Sequence, residues 1–316
     1  MKKFIKKISI LSAILLSFFF GLPVSAVQGD TLPDTYISMS PVNETMTLNP
    51  GEVRSGTFTV ANIGAKEFDY KLDVKPFSVS NGNYALNYGE ETKYTELSKW
   101  VTYDIPGGHL EPNSTQKVTY TIHVPEKVTP GGQYVALTAT TTSKEASGQG
   151  GAEIIVGKSV AMIIYVTIPG ELNHSGEIVE NKIPQFFFNP PITVNSLISN
   201  HGNVHEDAEY ILEVRSFFGN EVVYTNENNP LTHTIFPESE RYETIPWEQA
   251  PQLGIFKVKQ TIKYLGQTSV EEKIVFICPL WLIFLIVFMI FLAFFWIRSK
   301  VKERKKNSVN NDLNEK

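Results

Sequence analysis

Apolar and polar residues alternate with a period of two through most of this chain, and that pattern commits it to β-structure. Phe68, Tyr70, Leu72 and Val74 alternate with Asp69, Lys71 and Asp73, and Val118, Tyr120, Ile122 and Val124 alternate with Lys117, Thr119, Thr121 and His123. A strand sends successive side chains to opposite faces, so each run buries one face and wets the other. Val160 to Ile168 is apolar on both faces and predicts a central strand. Asn49-Pro50-Gly51, Asn62-Ile63-Gly64, Asn81-Gly82-Asn83 and Pro130-Gly131-Gly132 punctuate the runs as turns. No window before residue 274 gives an amphipathic helix. Short strands at this spacing predict an all-β chain of two tandem immunoglobulin-like β-sandwiches.

The first sandwich is expected over residues 27–169, with its clear strands from Tyr36 to Ile168, and the second over 170–273. In the second, strands are expected at Ile192–Asn200, Tyr210–Arg215, Val222–Thr225, Phe256–Tyr264 and Thr268–Ile274. Ser143 to Gly151 is small, polar and rich in Gly, as a hairpin tip is.

The two ends carry targeting signals. Lys2, Lys3, Lys6 and Lys7 precede the apolar run Ile8–Leu22, and Val24-Ser25-Ala26 offers small residues for cleavage, so residues 1–26 read as a signal peptide. Ile274 to Ile297 contains no charge. At about 1.5 Å per residue it crosses a hydrocarbon core of about 30 Å. Trp281 and Trp296 sit near its ends, and Arg298, Lys300, Lys302, Arg304, Lys305 and Lys306 follow, which predicts a single-pass helix with a basic cytoplasmic tail over 298–316. The last strand then feeds directly into the helix, so the second sandwich stands near the bilayer and presents the first outward. A Leu-Pro-x-Thr-Gly sorting motif does not precede the helix; Leu32-Pro33-Asp34-Thr35-Tyr36 resembles it only in part and lies at the other end.

Charge narrows the partners. The first 26 residues carry four Lys and no acid, and the last 19 carry seven basic residues against three acidic ones. Taking the surplus of four at each end from the net −5 leaves −13 for Val27 to Lys273. Such a region repels nucleic acid and anionic polymers at long range. The one cysteine, Cys278, lies in the apolar run, so no disulfide forms within the chain and the sandwiches rely on their cores.

The sequence holds no Gly-x-Ser-x-Gly, phosphate loop or His-Glu-x-x-His, and a non-enzymatic protein without cofactor is expected. His201-Gly202-Asn203-Val204-His205-Glu206-Asp207 could offer two imidazoles and two carboxylates to zinc. Gly and Asn between the histidines indicate a loop, so a polar turn is the favoured reading and no metal is expected. The candidate partner-binding residues are aromatic. Tyr84 to Ile105 is a long excursion between strands and offers Tyr84, Tyr88, Tyr94, Trp100 and Tyr103, either as a recognition loop or as a hairpin covering the sheet edge, with Trp100 favoured as core. Phe186, Phe187 and Phe188 cannot all point inward from one strand. At least one meets the other sandwich, a partner or the membrane surface, and contact with the other sandwich is the favoured account.

Pro50-Gly51, Gly56-Thr57-Phe58-Thr59-Val60-Ala61-Asn62, Leu110-x-Pro112, Val124-Pro125 and Pro130-Gly131-Gly132-Gln133-Tyr134 resemble the first domain of bacterial surface proteins related to the WxL-interacting family. Asn200-x-Gly202-Asn203, Phe218-Gly219, Phe236-Pro237, Arg241, Trp247 and Leu253-Gly254 resemble its membrane-proximal second domain. The resemblance implies a Gram-positive cell surface, peptidoglycan binding by the first domain and binding of surface or host proteins by the second. The tandem arrangement also looks like that of periplasmic pilus chaperones, although no Arg and Lys pair stands ready to seize a subunit carboxylate. The expected function is therefore a membrane-anchored binding or scaffold protein that engages cell wall or another surface protein. The alternative is an anchored assembly factor for exported subunits.

Overall fold

The computed structural model describes residues 35–79, 84–142 and 157–314, with side chains as far as Val301. The signal segment, the Asn81-Gly82-Asn83 turn and the Ser143–Gly151 tip lie outside the described residues. The first part of the chain forms β1 (Ile37–Ser40), β2 (Asn43–Thr47), β3 (Val53–Asn62), β4 (Phe68–Lys75), β5 (Phe77–Val79), β6 (Leu86–Tyr88), β7 (Val101–Tyr103), β8 (Gly107–Leu110), β9 (Thr115–His123), β10 (Gly131–Thr141) and β11 (Ser159–Ile168). The second part forms β12 (Gly176–Lys182), β13 (Phe186–Phe187), β14 (Ile192–Asn200), β15 (Glu206–Ser216), β16 (Val222–Thr225), β17 (Leu231–Ile235), β18 (Ser239–Trp247), β19 (Gly254–Tyr264) and β20 (Gln267–Ile277), followed by the helix α1 (Leu280–Asn314).

One sheet in the order β1-β3-β9-β7 faces another in the order β2-β11-β10-β4-β8. This is the strand order of an immunoglobulin sandwich whose first strand is split between the two sheets. The alternating residues meet between them: Phe58, Val60, Val118, Tyr120, Ile122, Leu72, Leu137 and Ile164 form one buried core. The second half repeats the plan, with β12-β14-β18 against a sheet running β13-β20-β19-β15-β16, β17 pairing with β15. Ile192, Val194, Ile198, Leu212, Trp247, Val258, Ile262 and Val275 form its core.

Each sandwich is pinned by a buried asparagine at the end of its third strand, β3 or β14. Asn62 donates from Nδ2 to the carbonyls of Lys66 (2.8 Å) and Leu110 (3.1 Å) and accepts from the Gly64 N–H at 3.0 Å. Asn200 donates to the carbonyls of Val204 (2.8 Å) and Ile235 (3.0 Å) and accepts from the Gly202 N–H at 2.8 Å. The Asn-x-Gly pairs thus satisfy buried backbone groups that no strand reaches.

β11 is an interior strand, as its two apolar faces indicate. β20 is longer than the sequence suggests. It stays paired with β19 through Ile277↔Gly254, so residues 274–277 are strand and α1 starts at Leu280. Its segment Leu280–Val301, 22 residues whose most apolar 18 have a mean hydropathy of 3.0, is long and apolar enough to cross a membrane.

Replacing Asn200 with Ala leaves two buried carbonyls and one N–H unpaired. We expect a loss of about 2–3 kcal/mol in denaturant unfolding of the second sandwich; an unchanged midpoint would show that the asparagine does not hold the turn.

Candidate binding site at the joint between the sandwiches

β10 is buried on both faces almost throughout. Val135, Leu137 and Ala139 face the first core, whereas Tyr134 and Ala136 face outward, as do Ala161, Ile163 and Tyr165 of β11. An apolar outer face has to be covered. Two elements cover it. The first is the excursion after β4: the β5–β6 hairpin, in register Phe77↔Tyr88 and Val79↔Leu86, lies on the sheet with Phe77 and Leu86 against it. The segment that follows is tied to β10 by Tyr134 N–H to Tyr94 O at 2.7 Å and Gln133 Nε2 to Lys93 O at 2.9 Å.

The second cover is Phe236, from the turn between β17 and β18. Its ring is stacked on Tyr165 (5.6 Å between centroids, 9° between planes) and Tyr84 (5.8 Å, 20°), and meets Tyr134 (4.8 Å) and Phe77 (5.5 Å) edge to face. Each such pair contributes about 0.5–1.5 kcal/mol beyond area burial. The Phe236 N–H donates to the Tyr84 hydroxyl, which also lies 3.3 Å from Ser239 Oγ. The Arg241 guanidinium covers the Tyr84 ring at 4.4 Å. Backbone contact closes the joint beside it: Gly132 N–H donates to Asn203 O at 2.8 Å. Gly131 adopts φ +134°, and a Cβ there would stand 2.9 Å from that same oxygen, so only glycine lets the two turns approach.

Burial sets the protonation here. It pushes the Tyr84 phenol up to about 12, against the hydrogen bonds of Ser239 and Phe236 and the charge of Arg241. His205 lies between the Tyr134 and Tyr165 rings, with Nδ1 3.3 Å from Tyr134 Oη. Burial lowers its pKa, and the carboxylates of Asp207 and Glu206 only partly oppose this.

Between the hairpin, residues 92–95 and the turn 236–239 a cleft of about 340 Å³ remains open. Phe77, Tyr134 and Phe236 line its apolar side, Val79, Tyr94 and Pro237 its flanks, and Ser78, Thr92 and Thr95 add hydroxyls. The Lys93–Glu238 ion pair at 2.7 Å joins the two sandwiches across it. That volume suits one bulky side chain or a small ligand.

The structure brings Tyr84 and Tyr94 to this joint, Tyr84 as packing and Tyr94 as cleft wall. The other candidates lie elsewhere. Trp100 is buried in the first core, and Tyr103 packs against that core while donating to Asp73 O at 3.1 Å. Both rings pack on the core between the two sheets and not on the outer face that the excursion covers. Tyr88 is exposed at the end of β6. Phe186, Phe187 and Phe188 are absent from the contact between sandwiches that the sequence favoured for them: Phe186 and Phe187 pair in parallel with Phe276 and Ile277 beside α1. Phe236 makes that contact instead. The two histidines of the 201–207 turn also separate, His201 facing Glu177 at 3.7 Å on the surface and His205 entering the joint. Among the described residues one group, Glu67, His109 and Glu111, brings metal-binding atoms within 4.8 Å of one another. All three are exposed. Asp69, 2.9 Å from His109 Nδ1, raises the imidazole's pKa and so favours the protonated form, which binds no metal.

No family model and no curated protein matches this chain. Solved structures do. The class 5 fimbriae chaperone CfaA is 14% identical over 78% of this chain and 100% of its own, at a TM-score of 0.36. The E. coli chaperone DraB is 13% identical over 77% and 97%, at 0.35. A complex of the Salmonella enterica SafA pilin with the SafB chaperone matches at 9% identity over 76% and 96%, at 0.37. At TM-scores of this size the likeness carries no argument about what this chain binds.

Two outcomes test the joint. Phe236→Ala should cost about 3–5 kcal/mol, the range for removing a buried aromatic side chain, in denaturant unfolding of the two sandwiches; a loss below 1 kcal/mol would deny Phe236 its place. The unfolded chain protonates His205 at its ordinary 6.5, whereas the folded joint resists the proton. Stability is therefore full above that pH and falls as pH drops below it. Melting between pH 7 and 5.5 should show this fall in the native chain, and His205→Phe should reduce it.

Proposed function

We propose that this chain is a membrane-anchored, non-enzymatic binding protein of the cell surface, and that the cleft at the joint receives a side chain or short segment of another surface protein. The cleft itself carries this reading. It has an aromatic floor, hydroxyls and an ion pair at its edge, and walls from both sandwiches. Its lining includes no His, Cys or Asp, its one Glu is paired with Lys93, and the Ser78 hydroxyl donates to the carboxylate of Glu90, which lies outside the lining. The anchor is α1, with the basic cluster from Arg298 onward on the cytoplasmic side. Of the two partners the sequence allows, the charge of −13 over Val27 to Lys273 favours a protein over an anionic wall polymer.

A second reading rests on a different observation. β11 pairs with β2 only over Ile163↔Asn43 to Thr167↔Thr47, so among the described residues Ser159–Met162 have no ladder partner on that side. An assembly factor that adds strands to exported subunits would use such an edge. A photo-crosslinking residue at position 94, at position 159 or at the exposed Ile63 separates the two. We expect protein adducts on intact cells from position 94 and none from 63, with no sedimentation of the ectodomain on purified cell wall. Adducts to unassembled subunits from position 159 alone would favour the assembly factor. Sedimentation abolished by Tyr94→Ala would move the ligand to the wall polymer.

A further inference from the structure

We infer that the end of the second sandwich next to α1 is itself a membrane-contacting surface, whose aromatic tips enter the headgroup layer of the bilayer that the helix crosses. The inference rests on the reading of α1 as a membrane span. Only Cys278 and Pro279 separate Ile277, the last residue of β20, from Leu280. Three residue steps reach at most about 10 Å. The polar layer on each side of the hydrocarbon is roughly 5–7 Å deep. Whatever lies level with Ile277 and projects toward the helix therefore lies at or near lipid headgroups.

The ladders show what lies there. Phe187 pairs with Ile277, Phe186 with Phe276, Gly254 with Ile277, and Ser216 with Phe256 two residues further along β19. The chain segments that end at this level are those before β14, between β15 and β16, and before β19. Each carries an exposed apolar side chain: Phe186 (58% exposed) and Phe188 (45%), Phe218 (87%), and Leu253 (58%). With Phe276 these include all the exposed phenylalanines outside the helix among the described residues. Elsewhere the sandwiches keep their phenylalanines inside. Trp281, one residue into α1 and 60% exposed, has the side chain most favoured at the interface. Three unconnected segments converge on one surface, and that surface surrounds the root of an apolar helix. This position selects lipid over a soluble partner, because a bilayer at the start of α1 leaves little room for anything else.

The test uses the full chain with Cys278→Ser and one new cysteine, Phe218→Cys, Leu253→Cys, Leu285→Cys or Ile63→Cys, each labelled with an environment-sensitive fluorophore. The proteins are reconstituted in phosphatidylcholine vesicles containing a lipid with a shallow nitroxide quencher. Phe218, Leu253 and Ile63 are exposed, so these changes leave the cores intact. We expect lipid-dependent quenching and a blue shift at 218, 253 and 285, and neither at 63. Quenching at 285 with 218 and 253 behaving like 63 would overturn the inference and leave the span standing. No quenching at 285 would sink the span and the inference together. A blue shift at 218 that follows protein concentration and not quencher would assign the surface to a second copy of the chain, and that also overturns the inference.

Discussion

One phenylalanine ring stands at the centre of the contact between the two sandwiches. Phe236 projects from a turn of the second sandwich into a socket of Phe77, Tyr84, Tyr134 and Tyr165, all from the first. The socket exists because β10 and β11 are apolar on both faces, so the five-stranded sheet has an outer surface that water would penalise. The excursion after β4 covers part of it and Phe236 another part. What neither fills is the cleft. The same unmet burial thus produces the joint and the candidate binding site, and the close passage of Gly131 past Asn203 fixes how the backbones meet.

Much of this fold was legible in the sequence. Alternation located β4, β9 and β19, because a half-buried strand repeats every two residues whatever its partner; a run apolar on both faces marked β11, and β14, β15, β16 and β20 lie at or near the strands expected for the second sandwich. The apolar run located the helix, displaced by the few residues that β20 retains through its ladder with β19. The joint was not legible. Phe236 precedes a proline in a turn, where an aromatic residue gives no periodic signal. Its partners Tyr134 and Tyr165 sit in strands whose alternation reports only that both faces are apolar, not what covers the outer one. Tyrosines in the excursion resembled a recognition loop, since composition does not separate a loop that greets a partner from one that lies on its own sheet. Asn62 was read as a turn residue and Asn200 as the end of a strand, and their role as buried pins depends on contacts 48 and 35 residues away. The three adjacent phenylalanines did signal an unusual surface, but only the pairing of β13 with β20 shows that it lies beside the helix.

From the helix outward the parts form a sequence. An apolar helix leads from β20, the aromatic end of the second sandwich surrounds its root, and the first sandwich is held on the far side of a joint stiffened by rings and backbone bonds. If a partner docks in the cleft, both walls of its site are fixed before it arrives, which lowers the ordering cost of binding. A flexible linker would leave the cleft unformed for much of the time. The rigidity of the joint is therefore the claim on which the binding reading depends.

Pulsed electron-spin distance measurement between labels at position 63 on the first sandwich and position 270 on the second, with Cys278→Ser, reads that rigidity directly. Ile63 and Val270 are both exposed and lie outside the aromatic socket. The expected result is a single narrow distance distribution in the otherwise native chain that broadens when Phe236→Ala is added. A distribution already broad with Phe236 in place would contradict the account.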